Sequence, residues 1–585
     1  MPTDKDVKRR DFWTGAGGVA IGAGAGLLQQ LPLDNPAIMD SVTSYVSVPG
    51  MVLGGAITAK AIVHNRWYFA APQRLHRELG EDGWLNEYDL KTTAGAAAMR
   101  AQAAHLRPEL SARAGRVRRH PVSEYGTCVG RLESGPRRIR GTRVYNQHSR
   151  GTLVLGPQGS GKSQWLAHPI IDSPGGLYVS TTKPELAQMA AGIRAQRGPV
   201  WIFNPSGYGD VGSTLGWNPV EGCTDQEVAD ARAAALVRGG GGAKGTERAE
   251  FWAQKAVEII RCYLMAAALV GYDMRAVHWW ATNPDSEDVL GILDARPDVV
   301  PAAWLGTLRT HLAASPNTRT GYFATVVSCV GFMDNPRVSA ACRPTGAQNF
   351  DILEFLRAGS LFVIAGQDTR IAPLMTAFTE HIFTMAKRVA AGCKGGRLPN
   401  GLAMVLDEVA QTTPVPLDEW SADSRGWGIG VIAAFQDLAQ LRTCYGPDRA
   451  KTIYSNLRTK IVLPGVAGKQ DLEELAFLAG PRKVVDVSEG ESIQGGGVFS
   501  QESHSTSRRV VKEPVVTGDV IYRLPPWHAY VVGLSPRAAV VKFEPGYKRA
   551  ARIKKALRKA GQVWAMPVPA AEGGGAAAGA WGAAA

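Results

Sequence analysis

Residues 156–163 are the segment whose residue types and spacing most clearly predict chemistry. They read Gly-Pro-Gln-Gly-Ser-Gly-Lys-Ser and match the phosphate-binding pattern G-x-x-x-x-G-K-[ST], called the P-loop below. Glycines let backbone N–H groups turn toward phosphate oxygens, and the N-terminus of a following helix favours negative charge. We therefore expect ATP to bind through Gly156, Pro157, Gln158, Gly159, Ser160, Gly161, Lys162 and Ser163.

The last residues of the P-loop and an acidic pair further along the chain have separate predicted roles. Lys162 is expected to reach the β- and γ-phosphates, and the Ser163 hydroxyl to bind Mg²⁺. Five apolar residues, 402–406, carry Asp407 to the end of a predicted strand. There we expect Asp407 to hold Mg²⁺ through water, and Glu408, the next residue, to act as general base for the attacking water.

Two further polar residues complete the predicted catalytic set of Lys162, Glu408, Gln436 and Arg425. Gln436 follows the apolar run 430–435, where a glutamine is able to sense the γ-phosphate from a third strand. Arg425 lies in Ser-Arg-Gly-Trp-Gly, between the two strands. On the edge of a subunit in a ring it would reach a neighbour's γ-phosphate, and such an arginine finger raises the rate by about 10³–10⁵.

Short apolar runs alternate with helical patterns from residue 151 onward, which predicts an α/β fold with a largely parallel sheet. Between about 222 and 350 the alternation stops and helical patterns follow one another, so we expect an all-α insertion. The predicted strands are 152–155, 176–180, 200–203, 361–365, 402–406, 430–434, 460–463 and 529–533, and the predicted insertion helices are 225–237, 247–270, 286–295 and 301–313.

Composition excludes several classes of protein. The chain has 585 residues, of which 45% are hydrophobic and 20% charged, and this balance excludes a wholly disordered, collagenous or coiled-coil chain. Its seven cysteines are scattered without a CxxC pair, so we expect neither a disulfide framework nor a zinc site. The net charge of +13 favours a nucleic-acid or anionic membrane partner. Arginines cluster in residues 101–150, where lipid head groups, DNA phosphates and a neighbouring subunit's nucleotide are candidate partners and a merely solvated face is the alternative.

Two uncharged stretches near the N-terminus, 12–33 and 41–59, predict a pair of membrane-spanning helices at about 12–33 and 41–63. Basic residues flank both outer ends and only acids lie between, so the positive-inside rule places the bulk of the chain in the cytoplasm, anchored in a bacterial inner membrane. Two alternatives remain. Arg9-Arg10 before an apolar run resembles a twin-arginine export signal, and a buried Gly/Ala-rich helical hairpin would show the same pattern.

These patterns divide the chain into six predicted regions. They are a membrane anchor (1–70), a basic linker region (71–140), a first nucleotide-binding segment that holds the P-loop (141–221), an all-α insertion (222–350), a second nucleotide-binding segment (351–560) and a disordered Gly/Ala tail (561–585). The Ser/Gly-rich stretch 485–507 is predicted to be a mobile loop.

Taken together, the motifs resemble those of the type IV secretion coupling proteins, the conjugative DNA-transfer ATPases of the RecA/AAA+ group. The resemblance covers about residues 10–550. It is carried by the segments GPQGSGKS (156–163), STTKPEL (180–186), GPVWIFNP (198–205), LDEVAQ (406–411), SADSRGWGI (421–429), AFQDLAQL (434–441) and YG (445–446).

The resemblance implies a RecA-like P-loop NTPase domain with a twisted, parallel-rich sheet, an inserted all-α domain and an N-terminal membrane hairpin. It also implies a homohexameric ring at the inner membrane that uses ATP and Mg²⁺. Such a ring receives single-stranded DNA, a relaxase–DNA complex or protein effectors and passes them to the type IV secretion channel. The all-α insertion would then recognise the cargo.

One departure from the family pattern concerns the second strand. Thr181-Thr182-Lys183 stands where such families often have Asp-x-Lys, so an acidic residue after that strand is missing. Two other functions remain as alternatives. A septal double-stranded DNA pump of the FtsK type usually carries a C-terminal winged-helix module, whereas this chain ends in a basic helical pattern and a Gly/Ala tail. A receptor that binds ATP only to assemble would not need Glu408.

Overall fold

The computed structural model describes residues 75–76, 78–107, 110, 117–241, 249–344, 350–366, 368–494, 501–562 and 564–566. The chain divides into two units, 1–80 and 81–585, and of the first only 75–76 and 78–80 are described. The predicted membrane helices, 12–33 and 41–63, and most of the predicted tail lie outside the described residues. No described helix has the length and hydropathy that a membrane span requires.

The second unit is built on an eleven-stranded sheet whose order is β2-β1-β13-β12-β9-β3-β8-β7-β4-β6-β5. The seven strands from β9 to β5 are parallel to one another. The four from β2 to β12 pair antiparallel with their neighbours, and β12 is also antiparallel to β9. The bounds are β1 Gly126–Leu132, β2 Arg143–Gln147, β3 Thr152–Leu155, β4 Gly176–Thr181, β5 Val200–Phe203, β6 Ser360–Ile364, β7 Leu402–Leu406, β8 Ile429–Phe435, β9 Thr459–Val462, β12 His528–Val532 and β13 Ala539–Lys542.

The parallel strands form where the sequence predicted them, because strands buried on both faces read as continuous apolar runs. Every residue of β3, β4, β6, β7 and β8 is buried. All eight predicted strands are present to within about a residue. One of them, β12, is antiparallel to β9 rather than parallel, with Tyr530 opposite Val462.

Three regions of the structure differ from the sequence prediction. β1 lies in the region assigned to a basic linker, because glycines, Arg131 and a bulge between Cys128 and Gly130 break its apolar pattern. β2 and β13 are short and were also not predicted. The stretch assigned to a mobile loop at 485–507 belongs largely to a separate two-stranded hairpin, β10 Pro481–Gln494 with β11 Gln501–Pro514. Its polar, Ser-rich composition concealed the strand pattern.

Helices cover the sheet and continue into an all-α insertion between β5 and β6. Outside the insertion, the P-loop helix spans Lys162–Asp172 and the C-terminal basic helix spans Gly546–Lys559. The others outside the insertion are Glu87–Asp89, Ala96–Ala101, Ala103–Leu106, Glu185–Arg194, Ile352–Ala358, Ala372–Gly392, Val409–Thr412, Leu417–Asp423, Leu438–Tyr445, Pro447–Asn456, Lys469–Phe477 and Gly518–Tyr522. The insertion helices are Gln226–Gly240, Ala249–Leu269, Met274–Thr282, Asp288–Asp294, Ala302–Leu312, Pro316–Val330 and Pro336–Ala341.

The chain enters and leaves the insertion at one place, called the neck below. There the backbone N–H of Trp217 donates to the carbonyl of Ala341 at 2.9 Å. The first insertion helix packs on the helix Ala372–Gly392, and Arg238 forms an ion pair with Glu380 across that contact. The insertion therefore meets the α/β region at the neck, along this helix pair and where residues 331–334 pack near residues 369–371.

Candidate nucleotide site

The P-loop connects β3 to the P-loop helix at the edge where the parallel strands end. Gly159 and Gly161 have φ values of 80° and 97°, which residues other than glycine rarely adopt. Gly161 stands directly before the helix, so the loop turns onto the helix N-terminus with its first backbone N–H groups free of intrahelical partners. This geometry is the one that receives phosphate at a helix N-terminus.

Lys162 folds back over the loop. Its Nζ donates to the carbonyl of Gly156 at 2.7 Å and to that of Pro157 at 3.4 Å. Burial lowers the pKa of Lys162, while the nearby carboxylates of Asp407 and Glu408 favour its charged form. The lysine is thus held beside the two acids, with its ammonium group on the loop.

Asp407 lies at the end of β7, two strands from the P-loop strand. Its backbone N–H donates to the carbonyl of Ser180 at 2.9 Å, and the residue is only 5% exposed. Oδ2 accepts from the Thr181 hydroxyl at 3.4 Å, whereas Oδ1 is buried without a hydrogen-bond partner among the described residues. Burial, and next the charge of Glu408, raise the pKa of Asp407 to about 7. A buried carboxylate with an unsatisfied oxygen fits a site for a cation or its bound water.

Glu408 has a backbone conformation that positions its side chain. It has φ 52°, in the left-handed region, which is uncommon outside glycine, asparagine and aspartate. Its Oε2 accepts from the Thr182 hydroxyl at 3.1 Å. The strained turn and this hydrogen bond hold the Glu408 carboxylate at the end of β7, beside Asp407.

Gln436 follows β8, the strand that lies between the P-loop strand and β7. Its backbone N–H donates to Oε1 of Gln440, in the helix that follows, at 2.8 Å. The topology therefore places the P-loop, Gln436 and the acidic pair at the ends of three adjacent strands. The structure therefore brings these predicted site residues to one edge of the sheet.

Arg425 lies at the opposite edge of the sheet. It precedes β8, whose seven residues span about 20 Å, so it is remote from the P-loop of its own chain. Each member of a set of four arginines, called the arginine row below, precedes one of four adjacent parallel strands; the row consists of Arg150, Arg397, Arg425 and Arg458. Arg425 is exposed, and its guanidinium reaches the side-chain oxygen of Gln147 at 3.5 Å.

The arginine row is electropositive. Burial, and then the charges of Arg425 and Arg458, lower the pKa of Arg150 to about 10. Burial, and then the charge of Arg425, lower the pKa of Arg397. Within the described part of the chain, no ion pair joins a member of the row to a carboxylate. The exposed members, Arg425 and Arg458, therefore have charge to offer an anionic group from outside the chain, whereas Arg150 donates to the carbonyls of Gly533 and Leu534.

Sequence reasoning missed the part that two threonines play. Thr181 and Thr182 attracted attention only because an acidic residue was missing, yet their hydroxyls hold the carboxylates of Asp407 and Glu408. The register explains the contact, because β4 is parallel to β7 with Ser180 opposite Leu406. The sequence signal that could have identified this role is the position of two hydroxyl-bearing residues directly after a predicted apolar strand.

One family model matches the chain. Residues 401–526 match the model described as the TraM recognition site of TraD and TraG. The matched region is about a fifth of the chain and includes Asp407, Glu408, Arg425 and Gln436. A comparison with curated proteins found no relative.

Several solved structures are similar to the chain. The plasmid coupling protein TrwB in complex with the non-hydrolysable GTP analogue GDPNP is 22% identical, with a TM-score of 0.50, and the match covers 68% of this chain and 86% of that one. TrwB with ADP and Mg²⁺ is 20% identical, with a TM-score of 0.49 and coverage of 68% and 86%. VirB4 of Thermoanaerobacter pseudethanolicus is 13% identical, with a TM-score of 0.39 and coverage of 72% and 96%.

These comparisons confirm the resemblance to type IV coupling proteins that the motifs indicated. The family model supplies a sequence match over 401–526. The similarity to TrwB shows a common fold, an α/β unit with a large, mostly parallel sheet.

Proposed function

We propose that the chain is a coupling ATPase that recruits a relaxase–DNA complex or protein effectors to a type IV secretion channel, and that ATP hydrolysis drives or gates their transfer. The observation that carries this proposal is the placement of the P-loop, the acidic pair and Gln436 at the ends of adjacent strands, within a fold shared with TrwB. Residues 401–526, which match a partner-recognition region, support the coupling role.

Each residue of the site has a chemical role in this proposal. The P-loop N–H groups and Lys162 bind the phosphates and stabilise charge that develops on them. Glu408 takes a proton from the attacking water. The Thr182 hydroxyl holds the Glu408 carboxylate in place. Gln436 contacts the γ-phosphate or the water from the intervening strand. Arg425 acts on a neighbouring subunit's nucleotide, because it is remote from its own.

Mg²⁺ fits the residues of this site. Oδ1 of Asp407, buried without a described partner, and the Ser163 hydroxyl in the first turn of the P-loop helix are oxygen donors, which Mg²⁺ prefers. When bound, Mg²⁺ neutralises charge on the phosphates of ATP. A positive charge beside Asp407 also favours its ionised form, which burial alone disfavours.

The proposed partners follow from charge and from the family model. A basic chain suits DNA, because neutralising phosphates releases counterions, and a ring channel tracks a strand without reading its sequence. The matched region 401–526 is proposed to contact a protein of the DNA-processing complex. A homohexamer anchored in the inner membrane, with the bulk of the chain in the cytoplasm, would place Arg425 of one subunit beside the nucleotide of the next.

The test is ATP hydrolysis by the purified full chain, measured against protein concentration with and without single-stranded DNA. We expect turnover to rise with both, because the site is completed by a neighbouring subunit in a ring. Lys162→Ala should abolish nucleotide binding, since it removes the charge that lies over the loop. Glu408→Gln should keep binding but lower turnover by about 10²–10⁴.

Two outcomes would contradict the proposal. Unchanged nucleotide affinity in Lys162→Ala would remove the P-loop assignment. DNA transfer that survives Glu408→Gln in cells would show that hydrolysis is not required, and the chain would then be a receptor that binds ATP only to assemble.

A further inference from the structure

Three aromatic side chains lie beside the P-loop because two antiparallel strands turn at that edge. β12 runs against β9, with Tyr530 opposite Val462, so residue 527 lies where the parallel strands end. β13 returns beside β12 and brings Phe543 to the same edge. The C-terminal basic helix begins there too, with Tyr547 in its first turn. The topology thus gathers Trp527, Phe543 and Tyr547 around the nucleotide site.

The Trp527 ring packs directly on the P-loop. Its Cζ3 and Cε3 atoms are 3.3 and 3.6 Å from the place where a Cβ on Gly161 would stand. The φ of Trp527 is 65°, a conformation that is a genuine outlier for a bulky residue. Such strain persists where the surroundings impose it, and it is concentrated at functional sites. Trp527 is only half-buried, so the strained backbone keeps part of an indole ring open beside the helix N-terminus.

Tyr547 is tied to the same helix. Its backbone N–H donates to Oε1 of Gln164 at 2.9 Å, and Gln164 lies in the first turn of the P-loop helix. Tyr547 is 49% exposed, and its ring stands 6.5 Å from the Trp527 ring, centroid to centroid. Phe543, which is buried, supports Trp527 edge-on at 6.1 Å. The two partly open rings therefore have a rigid base.

We propose that Trp527 and Tyr547 form the platform for the base of the bound nucleotide, their rings inclined at 67° so that the base stacks on the face of one ring and meets the edge of the other. The inference rests on the proposed nucleotide site and extends it, because Trp527 and Tyr547 lie outside both the P-loop and the matched region 401–526. A nucleotide held by its phosphates at the helix N-terminus presents a flat base within reach of its first turn. Aromatic rings bind the face of a base and not its polar edge, so adenine and guanine nucleotides should bind with similar affinity.

The test compares ATP with its phosphate part alone. Isothermal titration calorimetry on the full chain measures binding of a non-hydrolysable ATP analogue and, separately, of inorganic tripolyphosphate. We expect Tyr547→Ala to weaken the ATP analogue by about tenfold and to leave tripolyphosphate within about twofold, because stacking involves only the base. Trp527→Ala should act in the same way, and Trp527→Phe should restore most of the affinity.

Two control variants distinguish a failure of the base-stacking platform from a failure of the proposed nucleotide site. Tyr522 has the same exposed fraction as Tyr547, 49%, so Tyr522→Ala should leave both affinities unchanged. Lys162→Ala should weaken both ligands, and if it weakens neither, the proposed nucleotide site itself fails. Equal weakening of ATP and tripolyphosphate by Tyr547→Ala would show that the ring only shapes the loop and would overturn the platform. Unchanged affinity for ATP in Tyr547→Ala and Trp527→Ala would overturn it as well.

Discussion

The two edges of the parallel sheet differ in charge. At the carboxyl edge, Lys162 lies near the carboxylates of Asp407 and Glu408, and one oxygen of Asp407 is buried without a described partner. Glu408 and Trp527, at the same edge, have backbones in the left-handed region. At the amino edge the arginine row precedes four adjacent strands, and burial and neighbouring positive charge lower the pKa of Arg150 and of Arg397. The carboxyl edge therefore has the features of a ligand site, whereas the amino edge has positive charge that attracts anionic groups.

In the proposed ring, this difference in charge would let two copies of the chain complement each other. A triphosphate at the carboxyl edge of one copy carries the negative charge that the amino edge of another copy lacks. Strand direction fixes the arrangement, because parallel strands place all their starting residues on one edge and all their ending residues on the other. A head-to-tail contact between copies would join the two edges.

The largest expected effect comes from breaking the amino edge. Arg425→Ala should leave nucleotide affinity unchanged but lower turnover of the assembled protein by about 10³, because it removes a transition-state charge supplied in trans. The measurement is steady-state ATP hydrolysis above the concentration at which turnover stops rising. Arg442→Ala is a suitable control, since Arg442 pairs with Asp471 away from the row and should have a small effect.

Mixing variants then tests whether the two edges act on each other. Arg425→Ala subunits keep an intact carboxyl edge, and Glu408→Gln subunits keep an intact amino edge. Their mixture should recover part of the activity, because some contacts then pair two intact edges. A mixture as inactive as its components would contradict a finger that acts in trans.

A second prediction concerns the packing behind the carboxyl edge. His168, on the P-loop helix, donates from Nε2 to the carbonyl of Glu544 and accepts from Arg549 at Nδ1. Burial, and then the charge of Arg549, lower the pKa of His168 to about 4, although Asp172 and Glu544 act in the other direction. The unfolded chain therefore binds the proton first, and stability falls as the pH drops from about 6.5 to 4, by about 3 kcal/mol in full.

His168→Gln should remove this part of the pH dependence, because glutamine is able to donate to Glu544 without taking up a proton. The measurement is the thermal midpoint at pH 7.5 and pH 5. The wild-type protein should lose more than the variant on acidification, and His105→Gln, at an exposed position, should behave much like the wild type. Equal losses in His168→Gln and the wild type would show that His168 does not stay neutral in the folded protein.

The smallest expected effect concerns the Thr182 hydroxyl that holds Glu408, the proposed general base. Thr182→Val should lower kcat by about fivefold, because one hydrogen bond to Glu408 is worth roughly 1 kcal/mol, and it should leave KM nearly unchanged. Thr182→Ser should restore kcat, since it keeps the hydroxyl. A change in KM without a change in kcat would place Thr182 in nucleotide binding instead of in positioning Glu408.

The sequence predicted the parallel strands of the sheet well and the antiparallel strands poorly, for a physical reason. Central strands such as β7 are buried on both faces and must be apolar throughout, so a single pattern identifies them. β1 contains glycines, an exposed Arg131 and a bulge, because it pairs near one margin of the sheet. The hairpin of β10 and β11 pairs only with itself, and its polar composition predicted a loop.

The site residues also divide into those that the sequence predicts and those that it does not. The P-loop and the positions of Asp407, Glu408 and Gln436 follow from local spacing, because each comes directly after an apolar strand. The contacts of Thr182 with Glu408 and of Trp527 with Gly161 join residues far apart in the chain. Those contacts depend on strand order and direction, which no local pattern contains.

The neck between Trp217 and Ala341 has a consequence for how this protein diversifies. A segment whose two ends meet at one hydrogen bond closes on itself, so it is exchangeable as a unit while the strands on either side keep their spacing. Mutations that reshape its outer helices need not disturb the sheet edge where ATP is proposed to react. Selection on the surface of the insertion and selection on the sheet edge therefore act on largely separate stretches of one gene.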